Sequence, residues 1–308
     1  MRRLYRYAIA GLVTLFVGAL ALGAIACGDD DGDGDGEEPT ATAGAEPTAG
    51  ETPSAAGGEL EIRATEYQFQ APASISGGLT HITLNNAGGE DHQALLFLLN
   101  EGVTLQDFSA ALQADDTGAQ ALAMGTGAGG PNVVAPQDGT EVYVDLDAGV
   151  YAMICFVSSA DGTPHFAQGM LSQLDVTEPA EEAEAPETDG SVLLQDFEFQ
   201  APATMPSGEV TLQVANNGPQ PHEMTVVKLD EGITIDDIIA AFQSEEEPTG
   251  PPPFTSAGGL GVIAAGAEGF AVLNLEAGTY ALLCFVPDTE TGQPHAALGM
   301  VGSFTVEE

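Results

Sequence analysis

The sequence predicts an all-β protein built from two tandem β-sandwich domains, each with one inserted helix. The chain of 308 residues contains 39 glycines, 19 prolines and no tryptophan, a composition that suits short strands and many turns. Short segments in which polar and apolar residues alternate are separated by turn residues, as expected for half-buried strands. The chain also repeats itself at a spacing of about 130 residues, which indicates a duplicated domain because solenoid repeats are far shorter.

The repeat sets the domain boundaries. The segment "EYQFQAPASISGG" at residue 66 aligns with "DFEFQAPATMPSG" at residue 196, and "LDAGVYAMICFV" aligns with "LEAGTYALLCFV". We therefore place domain 1 at residues 59–176 and domain 2 at residues 191–308. The acidic segment "TEPAEEAEAPETDG" at residues 177–190 is the predicted linker.

Each domain contains alternating segments that predict strands and one segment that predicts a helix. The strand candidates include "THITLN", "EVYVDLD" and "VYAMICF", with "EVTLQVA", "FAVLNL", "TYALLCF" and "GSFTV" in the second domain. The helix candidates are "TLQDFSAALQ" and "TIDDIIAAFQ". Thr104 and Thr234 are suited to cap these helices, because Asp107 and Asp237 follow three residues later.

The N-terminus predicts export and a membrane tether. A basic start and an apolar run from Ala8 to Ala26 are typical of a signal peptide, here residues 1–26. The end of this run, "AIAC", resembles the lipobox of bacterial lipoproteins, in which cleavage leaves a lipid-modified cysteine, here Cys27. The apolar run is also long enough to span a bilayer uncleaved. Either alternative holds the protein at the outer face of the cell membrane, on the disordered acidic tether predicted for residues 27–58.

The charge of the chain restricts its partners. The formal net charge is −42, so nucleic acid is excluded because its phosphates would be repelled. A solvated surface is the plainer explanation of so many acidic residues. The functional explanation is attraction to a basic partner.

The rarest residues of the chain recur in register in both repeats. The protein has five histidines and three cysteines, and four of the histidines and both cysteines beyond the signal belong to this set. The corresponding methionines follow the same spacing. The predicted site residues are His92, Cys155, His165 and Met170 in the first repeat and His222, Cys284, His295 and Met300 in the second.

The predicted strands bring each set together. His92 and His222 open a strand after a polar loop, whereas Cys155 and Cys284 lie near the end of a strand. The start of one strand and the end of its antiparallel neighbour lie at the same end of a sandwich. Two imidazoles, one thiolate and a distant thioether are the ligands of a blue-copper electron-transfer site.

Each repeat resembles a cupredoxin, the family of blue-copper proteins that includes plastocyanin and azurin. The tail "PHAALGMVGSFTVEE" is similar to the ligand loop of plastocyanin-type domains, and "NNAGGEDH" and "NNGPQPH" resemble the loop that carries the first histidine of that family. The resemblance implies a Greek-key β-sandwich, one type 1 copper in each domain and one-electron transfer. It also implies that the two His, the Cys and the Met of each repeat are the copper ligands. For such a carrier we expect the basic partner to be a redox protein such as a basic cytochrome or oxidase.

The loop between cysteine and histidine is longer than in plastocyanin. Plastocyanin-like loops place His three residues after Cys, whereas the separations here are 10 and 11 residues. Longer loops occur in related copper domains, such as those of copper nitrite reductases. We expect the turn-forming segments "ADGTP" and "ETGQP" to bulge outward and return the histidine to the site.

Several alternatives accompany this prediction. Cys155 and Cys284 could be buried small hydrophobes or could pair in a disulfide across the domains, and His81, which lacks a counterpart, is interpreted as structural. After the eight proposed ligands are assigned, one histidine remains, so we expect neither a trinuclear nor a second catalytic copper centre and no enzyme. The alternative functions are a copper-sequestering or copper-delivering lipoprotein and a copper-free interaction lipoprotein.

Overall fold

The computed structural model of the chain describes residues 58–114, 118–180, 183–244 and 251–307. The predicted signal peptide, the lipidation site Cys27 and the acidic tether up to residue 57 lie outside the described residues. Within the described part, every helix is too short or too polar to cross a bilayer.

The described residues form mainly β-strands, which confirms the predicted all-β class. The strands of the first repeat are β1 Gly58–Thr65, β2 Gln68–Gln70, β3 Ser74–Ser76, β4 Gly78–Asn86, β5 Leu95–Leu99, β6 Gly125–Gly127, β7 Gly139–Leu146, β8 Gly149–Ile154 and β9 Leu171–Thr177. The strands of the second repeat are β10 Gly190–Gln195, β11 Glu198–Gln200, β12 Thr204–Met205, β13 Gly208–Asn216, β14 His222–Leu229, β15 Phe254–Ile263, β16 Glu268–Leu275, β17 Gly278–Leu283 and β18 Val301–Val306.

The helices of the described residues are α1 Leu105–Ala114, α2 Ala119–Leu122 and α3 Ile235–Gln243. The predicted caps are confirmed: the hydroxyls of Thr104 and Thr234 accept the backbone N–H of Asp107 and Asp237, and each carboxylate accepts the N–H of its threonine in return. The short helix α2 was not predicted.

Each repeat is a sandwich of two sheets. One five-stranded sheet has the order β3-β9-β8-β5-β6 and belongs to the first repeat, and the other has the order β12-β18-β17-β14-β15 and belongs to the second. The alternation in β1 shows how the sequence produces the sandwich: Leu60, Ile62 and Ala64 are buried in the core, whereas the acidic and basic residues between them face outward.

The remaining strands of both repeats form one continuous sheet of eight strands, in the order β11-β10-β13-β16-β7-β4-β1-β2. The repeats meet in it where β16 pairs with β7, with Ala271 opposite Val142. These two residues occupy equivalent positions in the two repeats, so the junction has an internal two-fold symmetry.

A second junction between the repeats shows the same symmetry. The segment around Pro131 runs antiparallel to β15, with Pro131 opposite its equivalent Leu260. The backbone N–H of Gly129 donates to Val262 O (2.7 Å), and that of Gly261 donates to Gly130 O (2.8 Å). Most buried apolar side chains of both repeats form one continuous core, and a smaller cluster packs around α3 in the second repeat. The predicted domain boundaries stay a prediction.

Candidate metal centres

The first histidine and the cysteine of each repeat come from neighbouring antiparallel strands. In the first repeat β5 pairs with β8, with Leu95 opposite Ile154, so His92 just before β5 lies beside Cys155 just after β8. In the second repeat His222 opens β14, which pairs with β17 just ahead of Cys284. The predicted meeting of these residues at one end of the sandwich is therefore confirmed.

The long loop after each cysteine closes on itself and returns the second histidine, as expected. Ser158 bridges to Pro164 in the first repeat, and Pro287 bridges to Pro294 in the second. The ends of the bulge therefore lie side by side, and the bulge adds length to the chain without separating the cysteine from the histidine.

The backbone then fixes the second histidine beside the cysteine. His165 N–H donates to Val157 O (2.8 Å) and Phe166 N–H donates to Cys155 O (3.1 Å). In the second repeat the corresponding distances are 3.0 Å from His295 N to Val286 O and 2.7 Å from Ala296 N to Cys284 O. Each histidine begins a short 3-10 helix, at His165–Gln168 and His295–Leu298.

The three side chains of the first repeat converge. His92 Nδ1 lies 3.1 Å from His165 Nδ1, and Cys155 Sγ lies 3.5 Å from His165 Nδ1. The ligating atoms of all three lie within 4.8 Å of one another, and all three side chains are fully buried.

The second repeat has the same arrangement. The two Nδ1 atoms of His222 and His295 lie 3.0 Å apart, and Cys284 Sγ lies 3.4 Å from His295 Nδ1 and 3.8 Å from His222 Nδ1. Among the residues that the structure describes, these two clusters are the groups of His, Cys and acidic side chains suited to hold a metal.

The methionines lie next to these clusters in the chain. Met170 and Met300 are fully buried and follow the 3-10 helices after one glycine each. Met170 O accepts the N–H of Cys155 (3.1 Å), and the N–H of each methionine donates to the carbonyl of the histidine five residues earlier (2.9 Å). The backbone thus places both methionines beside their predicted partners, and their role as ligands stays a prediction.

Burial keeps the inner groups uncharged in the absence of a metal. Burial raises the pKa of the Cys155 thiol to about 12 and also raises the pKa of the Cys284 thiol. Burial lowers the pKa of all four histidines, to about 4 for His92 and about 4 for His295. At neutral pH each cluster therefore consists of two neutral imidazoles and one thiol.

One histidine of each cluster is held by a carboxylate. His165 Nε2 donates to Glu90 Oε2 (2.9 Å), and His222 Nε2 donates to Asp196 Oδ1 (2.9 Å). Both carboxylates are partly exposed, at 31% for Glu90 and 28% for Asp196, so they connect the buried rings to the surface. The sequence analysis missed both residues. Acidic residues are so frequent in this sequence that an acid before a histidine or an aromatic residue does not predict a contact with a ligand histidine.

The buried atoms fit a bound metal ion. Two Nδ1 atoms point at each other and at a thiol, and the Nε2 atoms of His92 and His295 are buried without a hydrogen-bond partner. A β-carbon at Gly88 would come within 2.7 Å of His92 Nε2, so a side chain there would displace the ring. Two imidazole nitrogens and a cysteine sulfur are donors that suit copper or zinc.

The other rare residues are also accounted for. Cys155 and Cys284 are free thiols in separate clusters, so the alternative of a disulfide between them is wrong. His81 lies on the eight-stranded sheet between Glu59 (3.2 Å) and Glu141 (2.7 Å) and stacks on Tyr143. These contacts agree with a structural role for His81.

Comparison with known proteins yields structural similarity only. No protein-family model and no curated protein matches the chain. Among solved structures, auracyanin from the photosynthetic bacterium Roseiflexus castenholzii is 22% identical and covers 41% of this chain and 100% of its own, with a TM-score of 0.28. A multicopper oxidase is 16% identical and covers 81% of this chain and 88% of its own, with a TM-score of 0.24.

A copper-containing nitrite reductase from Thermus scotoductus is also similar. It is 14% identical and covers 81% of this chain and 61% of its own, with a TM-score of 0.24. At these identities the similarity concerns the fold alone, which is the cupredoxin-like β-sandwich.

The prediction that the chain is not an enzyme is wrong. Two of the similar structures are a multicopper oxidase and a copper nitrite reductase, so the fold includes enzymes as well as carriers. The prediction rested on the histidines of one chain, whereas an assembly can complete a site with side chains from a second copy. The histidine count therefore does not exclude catalysis.

Proposed function

We propose that the chain is a blue-copper electron-transfer protein with one type 1 copper site in each repeat. The observation that supports this proposal is the convergence of two imidazole Nδ1 atoms and one thiol within 4.8 Å, twice in the same chain and fully buried both times. Copper held by two imidazoles and a thiolate supplies one-electron chemistry between Cu(I) and Cu(II).

The side chains of the protein have distinct parts in this function. The proposed ligands are His92, Cys155, His165 and Met170 in the first site and His222, Cys284, His295 and Met300 in the second. Complete burial excludes water from the ligands, so little solvent reorganises when the charge of the site changes. The strand and loop backbone holds the ligands in a fixed arrangement.

Charge supports a basic redox partner. The net charge of the chain is −42, which favours encounter with a positively charged surface. Glu90 and Asp196, which contact one histidine of each cluster, reach the surface and would face such a partner. We propose a basic cytochrome or oxidase as the partner.

We further propose that the protein works outside the cytoplasm at the membrane. The signal-like N-terminus and the "AIAC" segment support lipid attachment at Cys27, with the acidic segment that follows as a tether. The tether would keep the two copper-binding repeats at the membrane, near their redox partners.

A copper titration of the full chain, followed by visible absorption and EPR, tests the proposal. We expect an intense blue band and narrow copper hyperfine splitting that saturate at two coppers per chain. Cys155→Ser and Cys284→Ser should each remove one copper and about half of the band, with the other site serving as the internal control. Binding without the blue band would favour copper sequestration, and a chain that binds no copper would leave a copper-free interaction protein.

A further inference from the structure

The two clusters contain the same ligand side chains, but a different histidine of each cluster is hydrogen-bonded to a carboxylate. In the first cluster the carboxylate of Glu90 holds His165, the histidine of the loop. In the second cluster the carboxylate of Asp196 holds His222, the histidine of the strand. Within the described residues, the equivalent contacts to His92 and His295 are absent, and the Nε2 atoms of these two rings have no partner.

Two pairs of equivalent positions cause this difference. Asp196 corresponds to Glu66, whose longer side chain accepts the N–H of Gly89 and so does not hold His92. Glu90 corresponds to Gln220, whose amide donates to Asp196 (3.3 Å) and to Asp288 (3.0 Å). The lengths and charges of these four side chains therefore determine which histidine of each cluster contacts a carboxylate.

A hydroxyl network aims the Glu90 carboxylate at His165. Ser159 Oγ donates to Glu90 Oε2 (2.9 Å), and Tyr67 Oη lies 2.9 Å from Ser159 Oγ and 3.3 Å from Glu90 Oε2. Gln168 Nε2 donates to Ser159 Oγ (2.8 Å). The second repeat lacks this network, because Phe197 and Asp288 occupy the positions of Tyr67 and Ser159.

These contacts determine which ring nitrogen carries the proton. A carboxylate only accepts hydrogen bonds, so His165 carries its proton on Nε2 and turns the lone pair of Nδ1 toward the cluster. His92, also neutral, then donates its Nδ1 proton to His165 Nδ1 (3.1 Å). In the second cluster the roles are reversed, with His222 accepting and His295 donating (3.0 Å).

We propose that Glu90 and Asp196 are positioning residues that prepare opposite histidines of the two sites for the metal. This inference rests on the proposed copper function. His165 and His222 already present a lone pair to the site. His92 and His295 must first move a proton from Nδ1 to Nε2, a buried position without a partner, and leaving a buried donor unpaired costs free energy.

The tautomers can be tested in the metal-free protein by two-bond ¹H–¹⁵N NMR of the imidazoles. We expect Nε2–H in His165 and His222 and Nδ1–H in His92 and His295. Glu90→Ala should remove the preference of His165 and, through the contact between the two Nδ1 atoms, that of His92, and it should leave the second cluster unchanged. Glu90→Gln should keep the preference of His165, because the amide oxygen still accepts the Nε2 proton, and this pair of variants separates the hydrogen bond from the charge.

Copper affinity supplies the second readout. Loss of the outer partner of a metal-bound histidine typically lowers affinity about 10–100-fold. Glu90→Ala should weaken the first site by about that factor and leave the second unchanged, and Asp196→Ala should do the opposite. The unaffected site reports that each variant is folded.

The outcomes distinguish this inference from the proposed function. Copper affinities that fall equally in both sites, or tautomers that ignore Glu90 in a chain that binds two coppers, would overturn the inference alone. A chain with the expected tautomers that binds no copper would overturn the proposed function and, with it, the expected effect of the two carboxylates on copper affinity.

Discussion

At the scale of single residues, the buried carboxyl of Glu223 is the least expected group. It follows His222 directly, accepts the N–H of Phe285 (2.9 Å) and accepts the amide of Asn132 from the other repeat (3.3 Å). Its backbone N–H donates to Cys284 Sγ (3.5 Å). Burial raises the pKa of Glu223 to about 7. The equivalent residue of the first repeat is Gln93, which has no charge to bury.

Glu223 predicts a pH dependence of stability. The unfolded chain loses this proton near pH 4.5 and the folded chain near pH 7, so between these values the folded state binds more protons. The contribution of Glu223 to the free energy of unfolding of the metal-free protein should therefore fall by up to about 3 kcal/mol as pH rises from about 4.5 to about 7. The four buried histidines contribute in the opposite direction, because their lowered pKa values mean that the unfolded chain binds more protons than the folded chain below neutral pH. Glu223→Gln, which copies the first repeat, should therefore make the free energy of unfolding rise more steeply with pH in this range and raise stability above pH 7.

Urea unfolding of the metal-free protein at a series of pH values measures the effect. Glu231→Gln, at an exposed turn, is the matched control and should leave the slope unchanged. A Glu223→Gln variant with the slope of the unsubstituted chain would contradict the assignment.

At the scale of elements, the loops between cysteine and histidine show what the sequence could and could not predict. Their turn residues predicted an outward bulge, and the bridges that close both bulges confirm it. The strand pairing that joins His92 to Cys155 followed from alternation and order along the chain. The carboxylate partners could not be predicted, because whether position 66 or position 90 reaches a histidine depends on side-chain length in three dimensions.

The second loop depends on Asp288. Its Oδ1 accepts the N–H of Thr291 (2.7 Å) and the hydroxyl of Thr291 (2.6 Å), and Gly292 N–H donates to its carbonyl (2.8 Å). These bonds lower the pKa of Asp288 to about 2. The side chain therefore stays ionised and keeps the bulge closed at every pH above the acid range.

Asp288→Ala should open this bulge. We expect a loss of about 1 kcal/mol in the free energy of unfolding, because the partly buried N–H and hydroxyl of Thr291 lose their acceptor. Copper affinity should fall at the second site only. Asp161→Ala in the first loop is the control: Asp161 is exposed and accepts one N–H, from Thr163 (2.8 Å), so little change is expected. Equal losses of unfolding free energy in the two variants would show that Asp288 does not hold the second loop closed.

At the scale of the whole molecule, the two repeats share a sheet and a core. The sequence predicted two sandwiches but not their junction, because a strand that pairs with another domain has the same alternation as an edge strand. An apolar cavity of about 110 Å³ lies between the repeats, lined among others by Phe156, Val157, Phe285 and Val286, which follow the two cysteines. Both candidate sites therefore border the same cleft.

A glycine allows the backbones of β14 and β15 to approach each other closely within the second repeat. Gly259 has φ +119°, and a β-carbon there would lie 2.0 Å from Met224 O. Gly266 also has positive φ (+80°) but open space around it. Gly259→Ala should therefore cost several kcal/mol of unfolding free energy, whereas Gly266→Ala should cost about 1 kcal/mol from its backbone conformation alone.

Thermal unfolding of both variants tests this comparison, and a single transition for both repeats would support the shared core. Similar unfolding temperatures for Gly259→Ala and Gly266→Ala would contradict the close approach of β14 and β15.

At both junctions, equivalent positions of the two repeats pair with each other: Val142 with Ala271, and Pro131 with Leu260. This is the geometry of a symmetric homodimer, here formed by two repeats of one chain. In a homodimer, one gene encodes both halves, so any substitution appears twice and the halves stay identical. A fused chain is free of that restriction. Glu90 can differ from its equivalent Gln220, and Tyr67 from its equivalent Phe197, because each repeat is encoded separately.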